Sequence, residues 1–559
     1  MTSRPCRRDR IILALLCFVS FFAFLDAVDV DLMEARNFVT AREMMVDGNW
    51  LIPTMNGEIR LAKPPMPTWF AAASAKLAGS LDALTPLRLP SALAACLLIF
   101  SVYGLSWAMD RPARPAFLSA AMLATSVLAI DVGRTGTWDI FCHAFMAAAL
   151  CSLWTGLKKG GGAWSFVLAG VCLGLSFMSK GPVSFYALFL PFAVAYTAIF
   201  GLTEIKREWP GLTLALVICL AISAWWPLYI FFYHADLGLL VAHKESEAWA
   251  SRHVQPFWYY WHFLVFSGCW LPWTFAALLR PYAAQRSTGR QTHAFLLLWL
   301  AVSLVLLSVI PEKKERYLLP AMIPLFLLAG DLAHGVIERF SQNRDERADR
   351  ALVLTHGALL GLLALALPVV LIVLLNRQGQ SIDGIVVGYG LGAWAVAFFL
   401  LHFLRKRQVE PLLLTTLAFL ALTTMTALHS YGALTTKNRE YKTVDSQQAG
   451  RQIGTTKVYF LGEEVDMRVI WDLGRRVYPW QVEEVSRMLE HGQPVAVLSK
   501  GEPLALLPKK LQTQVLIQGI DTFDYSKRRP DKRKIHLSLL QPSGLSISRQ
   551  THDRRGQEQ

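Results

Sequence analysis

Thirteen long apolar stretches constrain this chain more than anything else in it. They cover residues 11–27, 87–109, 115–131, 138–156, 163–179, 183–202, 211–232, 262–279, 293–310, 318–336, 352–375, 384–404 and 411–433. A helix needs about 20 predominantly apolar residues to cross a bilayer, within a range of about 17–25. In hydrocarbon the backbone must satisfy its own N–H and C=O groups, which leaves helices as the solution for segments of this length. Charge agrees, since 17% of the 559 residues are charged against about 25% in soluble domains. The sequence predicts a polytopic α-helical membrane protein of about thirteen transmembrane helices.

One further apolar segment, 66–80, is short, contains Lys76 and follows a proline pair, so it reads as a juxtamembrane helix. Charge tests that choice. With the N-terminal Arg4, Arg7, Arg8 and Arg10 in the cytoplasm, every inside turn is basic. These turns carry Arg111 and Arg114; Lys158 and Lys159; Lys206 and Arg207; Arg280, Arg286 and Arg290; Arg339, Arg344, Arg347 and Arg350; and Arg405, Lys406 and Arg407. Several outside segments are acidic or mixed, as the positive-inside rule requires. Counting 66–80 as a span would invert every later turn. The net charge of +14 is thereby explained by topology, and nucleic acid is not an expected partner.

The odd count places the chain after 434 outside, in a periplasm or its equivalent. That segment has β-like runs at 457–461, 494–498, 513–518 and 534–540, with a helical stretch at 481–490, and reads as a small α/β domain. The expected organisation is a membrane domain over 1–434, with a first outer loop at 28–86 carrying juxtamembrane helices. A C-terminal α/β extracytoplasmic domain follows at 435–545, then a polar tail at 546–559. Of eight cysteines, nearly all lie in apolar runs and none follows Cys269, so this last domain holds no disulfide of its own. No small-residue cleavage site precedes Asp26, so the first apolar run reads as a retained signal anchor.

The chemistry-bearing residues gather on the outer face. The first loop offers Asp29, Asp31, Glu34 and Arg36. Ionisable groups beside a membrane are usually functional, but carboxylates here also suit the positive end of a helix beginning near Glu34. Lys63-Pro64-Pro65-Met66-Pro67 is stiff enough to hold a lysine against a phosphate, or is a snorkelling lysine at a helix start. Asp139 lies at the mouth of the fourth span with Arg134 five residues before it, an arrangement open to a structural ion pair. Lys180-Gly181-Pro182 closes the fifth span and equally fits a helix C-terminus. His253 precedes the aromatic belt Phe257-Trp258-Tyr259-Tyr260. Glu312-Lys313-Lys314-Glu315-Arg316-Tyr317 puts three cations outside, against the charge rule, which an anionic headgroup or phosphate ligand would justify. Together these groups suit a lipid-phosphate substrate, with cations on the phosphate and a carboxylate as base.

At these residues the chain resembles the polytopic lipid-phosphate-sugar glycosyltransferases of the GT-C type. The nearest group is the 4-amino-4-deoxy-L-arabinose lipid A transferases and their protein mannosyltransferase relatives. The resemblance is carried by Met33-Glu34-Ala35-Arg36-Asn37, Ala41-Arg42-Glu43-Met44, Asn49-Trp50, Pro53, Asn56-Gly57 and Ala62-Lys63-Pro64-Pro65-Met66-Pro67-Thr68-Trp69. Asp139, Lys180-Gly181-Pro182, His253 with Pro256-Phe257-Trp258-Tyr259-Tyr260, and Arg316-Tyr317-Leu318-Leu319-Pro320 follow in order. Two positions depart. The family's catalytic Asp falls on Met33, and the Glu that with the His is implied to bind a metal falls on Ala62.

The resemblance implies an inverting glycosyltransferase at the outer face of the inner membrane. It would move a sugar from a polyprenyl-phosphate donor to a lipid A, glycan or protein acceptor. Asp31 leads as base, with Glu34 next and Asp29 third, and Asp139 is a second outer carboxylate. Arg36, Lys63 and Lys180 are expected on phosphate, with Arg316 beside them and Tyr317 near the carrier. A divalent metal is left open, with His253 as the one ligand carried over, and no other cofactor is implied. Two alternatives stand beside this reading. One is a lipid-linked sugar flippase, which would want ionisable groups near the midplane. The other is a degenerate homologue kept for binding, motivated by Met33 and Ala62.

Overall fold

A computed structural model describes residues 7–109, 111–251 and 253–543; Arg4 and the tail at 546–559 lie outside the described residues. The chain divides into two compact units, one made of 1–28 and 60–430, the other of 29–59 and 431–559.

Among the described residues of the first unit, nine helices are long and apolar enough to cross a membrane, or ten if one bent pair counts as a span. Segment 66–80 forms the 12-residue helix Met66–Leu77, which at about 1.5 Å per residue is too short to cross. Four expected spans take other shapes, each for a local reason. The first run forms the helix Arg7–Cys17 and a wider turn Phe18–Phe22. It stops where the Arg134 guanidinium takes the carbonyls of Ser20, Ala23 and Phe24 at 3.2, 2.6 and 2.6 Å. The third bends by 64° between Ala113–Ala124 and Val127–Arg134, where Ser126 caps the second piece. The stretch 183–202 gives the shorter apolar helix Phe185–Phe200 after Gly181-Pro182. The stretch 262–279 is broken at Gly268, whose φ of 63° interrupts a tight aromatic helix over Phe257–Trp270 before Leu271–Leu278 begins.

Helix packing here relies on small residues, as it does where lipid removes the hydrophobic drive between helices. Gly170 and Gly174 on Gly162–Lys180 let Trp209–Tyr233 approach closely. A Cβ on Gly170 would lie 2.5 Å from the Ala215 carbonyl oxygen, and one on Gly174 would lie 2.6 Å from Ile222 Cβ. The helix Leu319–Ser341 is almost wholly buried and forms the centre of this unit.

Ion pairs join several of the basic turns. Arg114 bonds Asp9 and Glu410. Arg111 meets Asp331 at 3.5 Å, and Asp331 also accepts from Ser287 and Thr288. Arg286 holds Asp349 at 2.5 Å and Glu346 at 2.8 Å, and Arg407 pairs with Asp345. The N-terminal helix, the 111–114 turn, the 280–290 turn, the 339–350 turn and the start of Val409–His429 therefore meet at one end. The other end of Val409–His429 carries His429, bonded to Asp383 at 2.5 Å and packed on Phe24.

The second unit holds a two-stranded hairpin, β1 Thr54–Met55 and β2 Glu58–Ile59. It also holds a five-stranded sheet of β3 Val458–Leu461, β4 Val477–Pro479, β5 Val495–Ser499, β6 Val515–Asp524 and β7 Lys534–Pro542. The order is β4-β3-β5-β7-β6, parallel across β4, β3 and β5 and antiparallel beyond. The helix Val482–Glu490 packs Val485 and Leu489 against Tyr459, Val497 and Leu540. Sequence patterning locates four of these strands and misses β4, a three-residue edge strand too short to show alternation.

The boundary drawn at 434 assigns the whole first loop to the membrane domain, yet residues 29–59 group with the sheet. Specific bonds explain this. Arg42 donates to the Trp471 carbonyl at 2.8 Å and stacks on its ring at 4.4 Å. Asn56 both donates to and accepts from the Val477 backbone, at 2.7 and 2.9 Å. It sits with Gly57 at positive φ in the hairpin turn, the conformation that Asn-Gly favours. Glu43 accepts from Thr54, Gly57 and Arg476.

Helix contact and a buried carboxyl each give a prediction. Gly170→Leu should destabilise the detergent-solubilised protein by about 1–3 kcal/mol for overpacking, read as a lower unfolding midpoint. Gly388→Ala, where a Cβ meets nothing within 4 Å, should leave the midpoint unchanged. The carboxyl is that of Asp472, which accepts from the Tyr525 hydroxyl at 2.8 Å. Burial pushes it up to about 6, against the opposing pull of that hydrogen bond, Arg42 and Arg468. A carboxyl raised above its unfolded value stabilises the fold at low pH and loses that contribution as pH climbs through about 6. Thermal unfolding scanned from acidic to neutral pH should show stability falling over that window. The fall should reach up to about 3 kcal/mol, since a tenfold change in proton affinity is worth about 1.4 kcal/mol. In Asp472→Asn this part of the slope should vanish.

Candidate functional site

Two helix termini and one loop build the ionic centre of the first unit. Asp139 lies in the first turn of Trp138–Lys159 and Lys180 in the last turn of Gly162–Lys180. Each charge complements the dipole of its own helix end. Gly181, with φ of 69°, turns the chain away after Lys180. Lys180 and Asp139 form a buried ion pair, and Arg316 Nε reaches the other carboxylate oxygen of Asp139 at 3.4 Å. Asp139 is 2% exposed, so both cations act on it in a low-dielectric setting, where removing one partner of such a pair is costly.

Tyr317 closes this group. The Lys180 ammonium lies 4.7 Å from its ring centre, and Lys314 and Arg316 flank the same ring at 5.6 and 5.8 Å. Glu312 takes Lys314 at 2.5 Å. The loop itself is pinned by backbone. Tyr260 Oη donates to the Lys314 carbonyl at 3.1 Å, and Lys313 Nζ donates to the carbonyls of Gln255 and Ile310 at 3.0 and 2.7 Å. Three cations (Lys180, Lys314 and Arg316) thus gather around two carboxylates (Asp139 and Glu312), while Lys313 is spent on backbone carbonyls. An excess of positive charge at a buried helix junction is an anion-binding arrangement.

Several sequence expectations resolve differently. Arg134 does not pair with Asp139; it spends its guanidinium on the carbonyls of 20, 23 and 24. His253 is exposed at a φ of 52°, and its carbonyl accepts from the Lys313 N–H. Ala62 offers no ligand atom, and among the described residues no three His, Cys, Asp or Glu side chains are placed to hold a metal. The residues present do not fit a divalent cation at His253. Lys63 is half-buried, and the buried Pro64 and Pro65 after it lead directly into Met66–Leu77. Arg88 is a lone arginine in an apolar run and belongs to no motif. It is buried and donates to the carbonyls of Leu25 and Val28 at 2.9 and 2.7 Å, fixing the exit of the first helix.

The remaining candidates belong to the second unit. Asp31 is the N-cap of Leu32–Asp47, accepting from the N–H groups of Met33 and Glu34 at 2.6 and 2.7 Å. Glu34 reaches back to the Asp31 N–H at 3.4 Å, completing a capping box. Glu34 is fully buried and Asp31 exposed. Arg36 directs Nη1 to Met33 Sδ at 3.9 Å. Asp29 pairs with Lys527. Asp31 and Glu34 therefore carry a helix start, whatever else they do.

The buried pair makes a stability prediction. Asp139→Asn should cost about 3–5 kcal/mol, because it strands the Lys180 charge. Adding Lys180→Met should restore part of that loss, which thermal unfolding of the single and double variants reads directly.

Comparison with known proteins bears on this geometry. Residues 62–226 match the family described as dolichyl-phosphate-mannose-protein mannosyltransferase, a stretch that carries Lys63, Asp139 and Lys180. The chain is 29% identical over 309 residues to the undecaprenyl phosphate-alpha-4-amino-4-deoxy-L-arabinose arabinosyl transferase of Edwardsiella ictaluri, covering 53% of this chain and 54% of that protein. A relative of the same description from Pseudomonas savastanoi pv. phaseolicola is 30% identical over 355 residues, covering 59% and 62%. The chain thus matches little more than half the length of these curated relatives. Among solved structures, ArnT from Cupriavidus metallidurans bound to undecaprenyl phosphate aligns with a TM-score of 0.67 at 17% identity, over 94% of this chain and 97% of that one. At that identity the likeness is one of fold. The chain is a multi-pass membrane protein that resembles, in sequence and in fold, the polyprenyl-phosphate-sugar glycosyltransferases of the GT-C type.

Proposed function

We propose that this protein transfers a sugar from a polyprenyl-phosphate donor to a lipid, glycan or protein acceptor. The reaction takes place at the outer face of the inner membrane, with the N-terminus cytoplasmic and the sheet domain periplasmic. The observation that carries the reading is the buried Asp139–Lys180 pair joined by Arg316, two of whose members lie in the stretch matched to the mannosyltransferase family.

The charge balance fits the direction of the chemistry. In the donor the phosphate is a diester with a single negative charge. As the bond from the anomeric carbon to the phosphate oxygen breaks, that oxygen keeps the electron pair and the carrier becomes a phosphate monoester, of charge about −1.5 to −2. Cations in excess by one favour the departing form over the bound donor, which is the differential stabilisation catalysis needs. In this proposal Lys180, Arg316 and Lys63 meet the phosphate oxygens, and Tyr317 lies along the carrier. Asp139 keeps Lys180 and Arg316 charged and aimed. The acceptor oxygen attacks the anomeric carbon from the opposite side, so configuration inverts. Its proton passes to a carboxylate, a role for which Asp31 is the candidate. A phosphate acceptor, already ionised, needs no such base.

Purified protein in proteoliposomes, given a panel of radiolabelled undecaprenyl-phosphate sugars and membrane lipid extract, tests this. Labelled acceptor should form. Lys180→Gln and Arg316→Gln should each cut the rate by about 100-fold or more, in line with losing a preorganised donor to developing charge. Asp31→Asn should slow transfer to a hydroxyl acceptor and spare transfer to a phosphate. Donor crossing the bilayer with no product would favour a flippase, and donor binding without turnover would favour a degenerate homologue.

A further inference from the structure

The turn joining β6 to β7 reads Lys527-Arg528-Arg529-Pro530-Asp531-Lys532-Arg533-Lys534, six cations and one carboxylate in eight residues. Neither the ionic centre nor the proposed transfer uses it. A run of surface cations is ordinarily a solvated, mobile loop, but this one is built. Asp524 is buried, and its carboxylate accepts from the N–H groups of Ser526 and Asp531 at 2.9 and 2.8 Å. Asn438 donates to Asp524 and to the Ser526 carbonyl at 2.9 and 2.8 Å. Ser526 Oγ takes the Arg529 N–H at 3.3 Å. The backbone is therefore fixed from inside while the charges point outward. Arg528, Arg529, Lys532 and Arg533 are all exposed, and none of the four is in a salt bridge among the described residues. Arg533 lies within electrostatic reach of Asp466, which Arg468 already holds.

The turn is tethered close along the chain to the last apolar helix. The Lys527 carbonyl accepts from the N–H groups of Lys437 and Asn438, at 2.8 and 2.9 Å. Residue 437 follows the last apolar helix, Val409–His429, by eight residues. Eight residues reach at most about 29 Å when fully extended, and five of these are helical, in Tyr431–Thr435. The Lys527 ammonium is enclosed by the rings of Tyr431 and Tyr441 at 4.9 and 5.3 Å, aromatic groups of the kind that settle at headgroup level. Lys437 and Arg439, both exposed, add to the same basic surface.

We propose that this ordered turn docks on anionic phospholipid headgroups of the membrane that the helices cross, through Arg528, Arg529, Lys532 and Arg533. Juxtamembrane polybasic segments are held to anionic leaflets in this way, within a Debye length of the surface. The inference does not depend on the transfer reaction.

Hydrogen exchange of the full-length protein in nanodiscs tests it. Exchange across 525–536 should slow by about five-fold or more when phosphatidylglycerol replaces a quarter of the phosphatidylcholine. The protection should disappear in 1 M NaCl, where the Debye length is about 3 Å. The combined variant Arg528→Gln, Arg529→Gln, Lys532→Gln and Arg533→Gln should exchange alike in both lipids. Equal exchange of the natural protein in both lipids overturns the proposal. So does protection that survives the four substitutions, or equal protection from inorganic phosphate in neutral nanodiscs, which would make the turn a phosphate site. Exchange in the sheet strands away from the turn reports whether the variant is folded.

Discussion

The pairing of Asp139 with Lys180 is the constraint on which the helical unit depends. Two oppositely charged side chains withdrawn from water repay their desolvation only if each is held in place and further bonded. Here the holding is done by helix ends of opposite polarity, with Arg316 as the additional partner. That requirement couples two helices that follow each other in the chain to a loop more than a hundred residues later. The loop in turn is clamped by Tyr260 and Lys313 through backbone carbonyls. The opposite end of the bundle has buried pairs of its own, Arg111–Asp331 and Arg286–Asp349, but others there, such as Arg350–Asp345 and Arg339–Glu346, have one exposed partner. Exposed pairs contribute little individually. They record where the turns meet, whereas the buried centre dictates how the helix ends must meet.

The second unit shows how a sequence motif can serve scaffolding and still look catalytic. Arg42, Glu43 and Asn56-Gly57 all belong to the ordered set on which the sequence resemblance rests. Each is engaged with residues 470–477 or with the hairpin of the first loop. Asn56 reads the Val477 backbone as a neighbouring strand would, with one donor and one acceptor. Such contacts need a particular side chain at a particular place, which is what makes a motif, and they require no reaction. The loop between the first helix and Met66–Leu77 is long because part of it is a piece of another unit.

Apolar length made the polytopic helical character legible, including the shortness of Met66–Leu77, though not the number of continuous spans. It did not reveal which runs would be continuous helices. Breaks at Ser126 and Gly268 come from single side chains and a single backbone conformation, invisible to a window of about 20 residues. Asp139, Lys180, Arg316 and Tyr317 could be named because charged groups at apolar boundaries stand out. Their mutual geometry could not, since Arg134, the nearer cation in sequence, is diverted to helix-terminal carbonyls. Contacts between 42 and 471, or 56 and 477, span more than four hundred residues, and no local pattern encodes them.

The capping box sharpens what substitution at Asp31 can mean. A carboxylate that caps a helix and one that accepts a proton are lost together in an alanine variant, so that change would not separate the roles. Asparagine caps a helix about as well as aspartate, and glutamine replaces glutamate in the reciprocal half of the box. Asp31→Asn therefore preserves the start of Leu32–Asp47 and, with it, the placement of Arg42 and Glu43 later in the same helix. What it removes is only the negative charge and the basicity of an exposed carboxylate. Glu34 is wholly buried and spends an oxygen on the Asp31 N–H, so without movement it has no edge to offer a substrate. Of the two, Asp31 is the one whose neutral isostere isolates chemistry from folding, and position 33, where methionine stands, has no proton-accepting group to complicate the reading.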